Sequence, residues 1–353
     1  MADLTVPPQP TTGLPPTDRP HTHDQLHERA CITCGSSLPL LRAVTDHRHT
    51  DLYVGVATFL TQYGLRPDPA AYLAHGYVDL CLAAWPSACG AELDLATRWA
   101  VWTWIVDDVF DTEMLGASRQ LVGEFALSLL LVAGGTARPG PGDHPTLHAL
   151  AALVADTRAM VPEFWWQRYL THLEEWVHAA SAKLVDFVQP QRTPTLREYL
   201  LLRPADGGMV LAAMWCELAG RCVTPDWHDA LVQSLLRSFS TVGCLTNDLA
   251  AADSDTFTAS RALRVGQGMP DAEARGKARG LLEAEERRFW WLCTAVRDDA
   301  ELDTATRRFA HVLDDFRHAL ADWTRTSSRY VPGSVGSESA VTQGERCPAT
   351  SPS

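Results

Sequence analysis

No run of about 18 uncharged apolar residues occurs in the chain, so no segment is long enough to be read as a membrane-spanning helix. There is no Gly-x-Gly-x-x-Gly behind a strand and no glycine-rich loop ending in Gly-Lys-Ser or Gly-Lys-Thr, which disfavours a parallel-sheet nucleotide fold. Sustained apolar–polar alternation, the mark of half-buried strands, is hard to find. Positive charge is short: 30 Lys and Arg stand against 43 Asp and Glu, for a formal charge of −13. Nucleic acid, which needs a basic face, is disfavoured as a partner. A polyanionic small substrate stays open, but needs metal ions or clustered arginines to overcome the background repulsion. The N-terminal stretch carries Pro7, Pro8, Pro10, Pro15, Pro16 and Pro20 where a signal peptide needs continuous apolar sequence, so a cytoplasmic protein is expected.

Paired cysteines are lacking too. The nine are odd in number and scattered, and Cys81, Cys216, Cys244 and Cys293 sit in apolar stretches as small buried hydrophobes. Cys31 and Cys34 form a CxxC with His27 just upstream. A zinc site needs a second ligand pair, which is missing, so a polar lead-in segment is the reading.

What the chain does have is apolar residue at helical spacing. Of its 353 residues 46% are hydrophobic, ample for a core. Three- and four-residue periodicity runs through Leu93–Thr112, Leu121–Val132, Phe164–Phe187, Leu196–Ala219, Trp227–Ala252, Glu273–Val296 and Thr304–Trp323. Turn chemistry separates them, as at Gly134–Pro145 and Val223–Pro225. The Pro-, Thr- and His-rich residues 1–35 and the small, polar residues 331–353 read as disordered tails. Residues 36–330 read as a single large all-α domain of about ten or more helices.

Four constellations carry chemistry. In Asp107-Asp108-Val109-Phe110-Asp111, Asp107 and Asp111 share a helix face and Asp108 lies on its flank. Three carboxylates on one turn repel, and they follow a Trp-rich apolar helix that should be buried, so a neutralising cation is expected. All-oxygen ligands select hard ions, and Mg²⁺ is the one that bridges carboxylates to diphosphate oxygens. The plain alternative is a solvated acidic helix end. Second, Asn247, Ala251 and Asp255 recur at four-residue intervals along one face, where Asn247 and Asp255 could hold a further hard ion. Third, Pro204 and the pair Gly207-Gly208 interrupt an apolar helix beside Arg203, a planar fork of donors suited to phosphate. Fourth, Arg329-Tyr330 closes the last helix with a guanidinium and a phenol; the plain reading of Arg329 is a helix C-terminal cap.

In this order and spacing these residues resemble the bacterial class I terpene synthases (terpene cyclases), over residues 36–330. The family's aspartate-rich motif, DDxxD, is matched by Asp107, Asp108 and Asp111. Its diphosphate-sensing arginine, with Asp three and Gly four residues on, is matched by Arg203, Asp206 and Gly207, and its terminal Arg-Tyr pair by Arg329 and Tyr330. The second metal motif departs: Asn247 and Asp248 match, but Ala251 stands at the hydroxyl position, Ser254 at the basic position and Asp255 at the glutamate position.

The resemblance implies a helical bundle around a central pocket that ionises and cyclises a linear isoprenyl diphosphate. Farnesyl diphosphate is the first choice and geranylgeranyl diphosphate the second. It implies three Mg²⁺ ions on Asp107, Asp108, Asp111, Asn247, Ala251 and Asp255, with Arg203, Arg329 and Tyr330 on the diphosphate. Asp206 would relay binding from Arg203 to the break at Gly207 and Gly208. Trp104 and Trp323 are candidate walls for a carbocation, each with plain core as its alternative reading. A monomer or homodimer is expected. Two other readings stay open: a chain-elongating isoprenyl diphosphate synthase, and a non-catalytic helical binding module built on the same fold.

Overall fold

The computed structural model describes residues 47–251 and 255–330. The expected tails and the His27, Cys31 and Cys34 group lie outside the described residues. Helices account for most of what is described, and no strand occurs among the described residues. In chain order they are α1 (His47–Gln62), α2 (Pro69–Leu73), α3 (Tyr77–Ala84), α4 (Gly90–Asp108), α5 (Arg119–Ala133), α6 (Pro145–Met160), α7 (Glu163–Lys183), α8 (Leu196–Asp206), α9 (Met209–Gly220), α10 (Ala230–Ala250), α11 (Ala259–Gln267), α12 (Asp271–Asp298) and α13 (Thr304–Thr326).

Local chemistry sets many of the boundaries. Ser118, Asp229 and Asp303 cap α5, α10 and α13 by accepting from backbone N–H groups of the first turn. Thr195 and Glu198 form a reciprocal capping box at α8. Two features were not anticipated. The helix after α4 widens into a π turn at Val109–Glu113, and the one after α7 does so at Leu184–Val188. Each brings one carboxylate or ammonium of interest to a helix end whose ladder is stretched. The segment expected as Leu196–Ala219 is two helices, parted at Gly207 and Gly208; Gly208 has φ +62°, a left-handed conformation that glycine adopts without strain.

The core is aromatic. Trp85, Trp99, Trp102, Trp165 and Trp166 are fully buried. Each removes on the order of 150–250 Å² from water, roughly 4–6 kcal/mol of gross transfer free energy. A smaller cluster of Phe187, Tyr199, Leu245, Phe257 and Leu263 ties α8 to α11 and to the chain just after α10. Together these fix the elements that border the central cavity: the end of α4, the end of α7, the α8–α9 break, the end of α10 and the end of α13. No helix among the described residues is long and apolar enough to cross a membrane.

Candidate active site

The cavity measures about 660 Å³, within the ~300–1,000 Å³ range of small-molecule sites. Asp107, Asp108, Asp111, Arg203, Asp206, Gly207, Asn247, Ala251, Asp255, Arg329, Tyr330, Trp104 and Trp323 all line it. Residues separated by more than two hundred positions are thus brought to one place.

Asp107 and Asp111 share Lys183 as a partner, Asp107 Oδ2 also lies 3.8 Å from Arg329, and Asp108 faces others. Asp108 Oδ2 accepts from Arg66 at 2.6 Å and from the Tyr72 hydroxyl at 3.3 Å. Its Oδ1 accepts from Arg329 at 2.9 Å, and Arg329 also donates to the Tyr77 hydroxyl at 3.0 Å. With both oxygens engaged, Asp108 holds the arginines. Arg66, Tyr72 and Tyr77 carry no motif and were not singled out in the sequence.

Lys183, at the end of α7, is the other residue that motif reasoning missed. Its ammonium lies 3.5 Å from Asp107 Oδ1, 3.2 Å from Asp111 Oδ1 and 3.4 Å from Asp206 Oδ1. The side chain is 7% exposed. Burial alone would favour a neutral amine, but Asp111, Asp206, Asp107 and Asp255 together hold its pKa well above the ordinary lysine value. One signal was available: Lys183 is one of only two lysines in the chain, and it sits within an apolar-periodic stretch.

Arg203 is almost fully embedded. Its Nε donates to Asp248 Oδ1 at 2.9 Å, one terminal nitrogen to Asp206 Oδ2 at 2.7 Å and the other to Asn247 Oδ1 at 2.8 Å. Asp248 is 1% exposed and also accepts from the Tyr199 hydroxyl and the Ala259 N–H, both at 2.7 Å. It therefore anchors the guanidinium, a role the sequence did not assign. Asn247 in turn donates to the Tyr330 hydroxyl at 2.7 Å. A continuous chain of polar contacts thus runs from Tyr330 through Asn247, Arg203, Asp206 and Lys183 to the acidic turn.

α10 ends at Ala250, and the four-residue steps of the second motif continue past it: the Ala251 N–H donates to the Asn247 carbonyl at 2.8 Å and the Asp255 N–H to the Ala251 carbonyl at 2.9 Å. Ala251 borders the cavity but offers only a methyl side chain. Asp255 Oδ1 accepts from the Phe257 N–H at 2.8 Å.

The donor set suits a hard cation. Asp111 Oδ1 and Asp206 Oδ1 are buried without a hydrogen-bond partner, close to Lys183 but off any hydrogen-bond line. Burial pushes the Asp111 carboxyl up to about 7; Lys183 pulls against this, while Asp107, Asp206 and Asp255 add to it. No group of three or more His, Cys, Asp or Glu among the described residues closes into a metal site by itself. Mg²⁺ is commonly bound through one or two carboxylates plus substrate phosphates, so a bound diphosphate would complete the shell.

The remaining wall is aromatic. Trp104 and Trp323 meet with ring centroids 5.4 Å apart, and Tyr77 lies 4.8 Å from Trp104. Trp176, Trp215 and Phe316 join them on the cavity surface.

A family model described as terpene synthase family 2, C-terminal metal binding, matches residues 98–288. A (2E,6E)-farnesyl diphosphate-cyclizing (+)-T-muurolol synthase of Roseiflexus castenholzii is 26% identical over 296 residues, 80% of this chain and 90% of that protein. Pentalenene synthase of Streptomyces exfoliatus is 24% identical over 287 residues, 75% of this chain and 83% of that protein. Among solved structures, wild-type cucumene synthase superposes with a TM-score of 0.69 at 25% identity, covering 80% of this chain and 97% of that one. A linalool/nerolidol synthase from Streptomyces clavuligerus, solved with 2-fluorogeranyl diphosphate, gives a TM-score of 0.72 at 18% identity. It covers 79% of this chain and 99% of its own, and at that identity the likeness is one of fold.

Proposed function

Because this chain belongs to the terpene synthase family and is a class I terpene synthase, we propose that it ionises and cyclises farnesyl diphosphate in a Mg²⁺-dependent reaction, with geranylgeranyl diphosphate the second choice of substrate. The observation that carries this reading is the mixed lining of one cavity. Carboxylates and guanidinium groups line it together with the indole and phenyl faces of Trp104, Trp176, Trp215, Phe316 and Trp323 and with aliphatic side chains such as Met209 and Leu320. The farnesyl-cyclizing relative supports fifteen carbons.

Asp107 and Asp111 on one wall, with Asn247 and Asp255 on the other, would hold the ions. Bound there, divalent ions supply Lewis-acid polarisation of the C–O bond and neutralise charge on the departing diphosphate. Arg329, kept in place by Asp108 and Tyr77, adds a fixed positive charge at the same site. Arg203, clamped by Asp206, Asp248 and Asn247, couples the diphosphate end to the α8–α9 break. The backbone at Gly207 and Gly208 borders the cavity and offers carbonyl dipoles to a developing cation. Trp104, Trp323 and their aromatic neighbours face that cation with surfaces each worth roughly 0.5–2 kcal/mol and do not react with it. They also keep water from quenching it early.

The test is incubation of the pure protein with Mg²⁺ and ten-, fifteen- and twenty-carbon isoprenyl diphosphates in parallel, followed by analysis of the organic extract. Cyclic hydrocarbon or alcohol from the fifteen-carbon substrate is expected. Longer diphosphates formed on adding isopentenyl diphosphate would point instead to chain elongation.

A further inference from the structure

Lys183 is not accounted for by the reaction as described, and it stands where a metal-binding site is most crowded. Three carboxylates, Asp107, Asp111 and Asp206, surround its ammonium at 3.2–3.5 Å, and it donates one long hydrogen bond, to Asp111 Oδ2 at 3.5 Å. A charge-assisted hydrogen bond is shorter, about 2.7–2.9 Å, so the ammonium is shared among the three and bonded closely to none. A Mg²⁺ ion needs oxygens at about 2.0–2.1 Å in near-octahedral array. With Lys183 at its centre the cage is too wide for Mg²⁺ to take that place.

We propose that Lys183 is a fixed cation standing in one of the divalent-ion places of this site, between Asp111 and Asp206, so that the protein takes up two ions with a diphosphate where the family resemblance implies three. This rests on the reading of the pocket as a Mg²⁺–diphosphate site. Three observations support it. The side chain is 7% exposed and rooted in the last residue of α7, so its ammonium is buried within the cluster. Asp111 Oδ1 and Asp206 Oδ1, two buried carboxylate oxygens without hydrogen bonds, both belong to its cage. A divalent ion bound between them would also meet the ammonium at a distance where like charges repel strongly in a dry pocket. Asp107 Oδ2, 3.8 Å from Arg329, is the oxygen left to an ion at the cavity mouth, since Lys183 pairs with its Oδ1.

The experiment is calorimetric titration of Mg²⁺ into the protein with inorganic pyrophosphate, which does not react, for the wild type and for Lys183→Gln. Two ions per chain are expected for the wild type and three for the variant. In a second readout without pyrophosphate, Mg²⁺ should raise the melting temperature of Lys183→Gln more than that of the wild type, because the uncovered carboxylates then need an ion. Three ions on the wild type, or the same count in both proteins, overturns the proposal. The wild-type count decides by itself if the variant does not fold. No Mg²⁺ uptake by the wild type at any pyrophosphate concentration would sink the site reading along with it.

Discussion

A methyl group added at Gly207 has no room. Its φ of −67° is ordinary for any residue, so backbone strain is not the issue. The obstacle is packing: an added Cβ falls well inside van der Waals contact of Cys244 Sγ and 3.2 Å from the Arg203 carbonyl oxygen. Cys244 is buried on α10, with its thiol donating to that same carbonyl at 3.5 Å. One rotatable bond gives it little means of escape, so α10 and the α8–α9 break must move apart. Overpacking of this kind costs about 1–3 kcal/mol. At about 2–4 °C per kcal/mol for a domain near this size, Gly207→Ala should melt roughly 2–12 °C below the wild type in calorimetry. Cys244→Ala, which removes the obstructing sulfur, should cost about 1 kcal/mol alone. The double variant should recover most of the Gly207→Ala loss, with a coupling of at least about 1 kcal/mol. Turnover should follow, because the break carries Arg203 and Asp206 on one side and borders the cavity on the other. Gly208→Ala is the control: its cost comes from φ +62°, about 1–2 kcal/mol, and Cys244→Ala should not relieve it. Additive losses in the double variant, or a Gly207→Ala protein as stable as wild type, would refute this account of the break.

Asp107→Ala should leave less than about a tenth of wild-type turnover by removing a metal-ligating carboxylate, whereas Asp108→Asn should keep the Mg²⁺ requirement and raise KM, because Asp108 seats Arg329 and Arg66; a raised Mg²⁺ requirement in Asp108→Asn argues against that division. Arg203→Lys should be nearly as destabilising as Arg203→Ala, by about 3–5 kcal/mol in denaturant unfolding, since a point charge cannot serve Asp206, Asp248 and Asn247 at once and strands buried carboxylates. The Asp111 carboxyl, pushed up to about 7 chiefly by burial, titrates near 3.9 when unfolded. The folded state thus binds its proton more tightly. Stability of the metal-free protein should fall as pH rises from about 4 to 7, while Mg²⁺ affinity measured with pyrophosphate should strengthen over the same window; thermal melts at pH 5.5 and 7.5 with and without Mg²⁺ check both signs.

The helical class and the interruption at Gly207 could be read from the chain, because each is a local matter, whereas the grouping of Asp107, Arg203 and Arg329 into one candidate site was implied only by the family resemblance. Helical period, a Pro-Gly break and carboxylates one turn apart are written within a dozen residues. The two π turns were beyond that reach: widening a helix by one residue per turn leaves the apolar period almost unchanged, while it decides which way Asp111 and Lys183 are presented. The partners were beyond it as well. Lys183 meets Asp111 from 72 residues away and Arg329 meets Asp108 from 221. No spacing along the chain encodes such meetings. They arise where helix ends converge on a shared cavity, and there the cost of burying an unpaired charge selects the neighbour. Asp108 and Asp248 therefore hold arginines, and the one lysine buried in the described structure sits among the carboxylates.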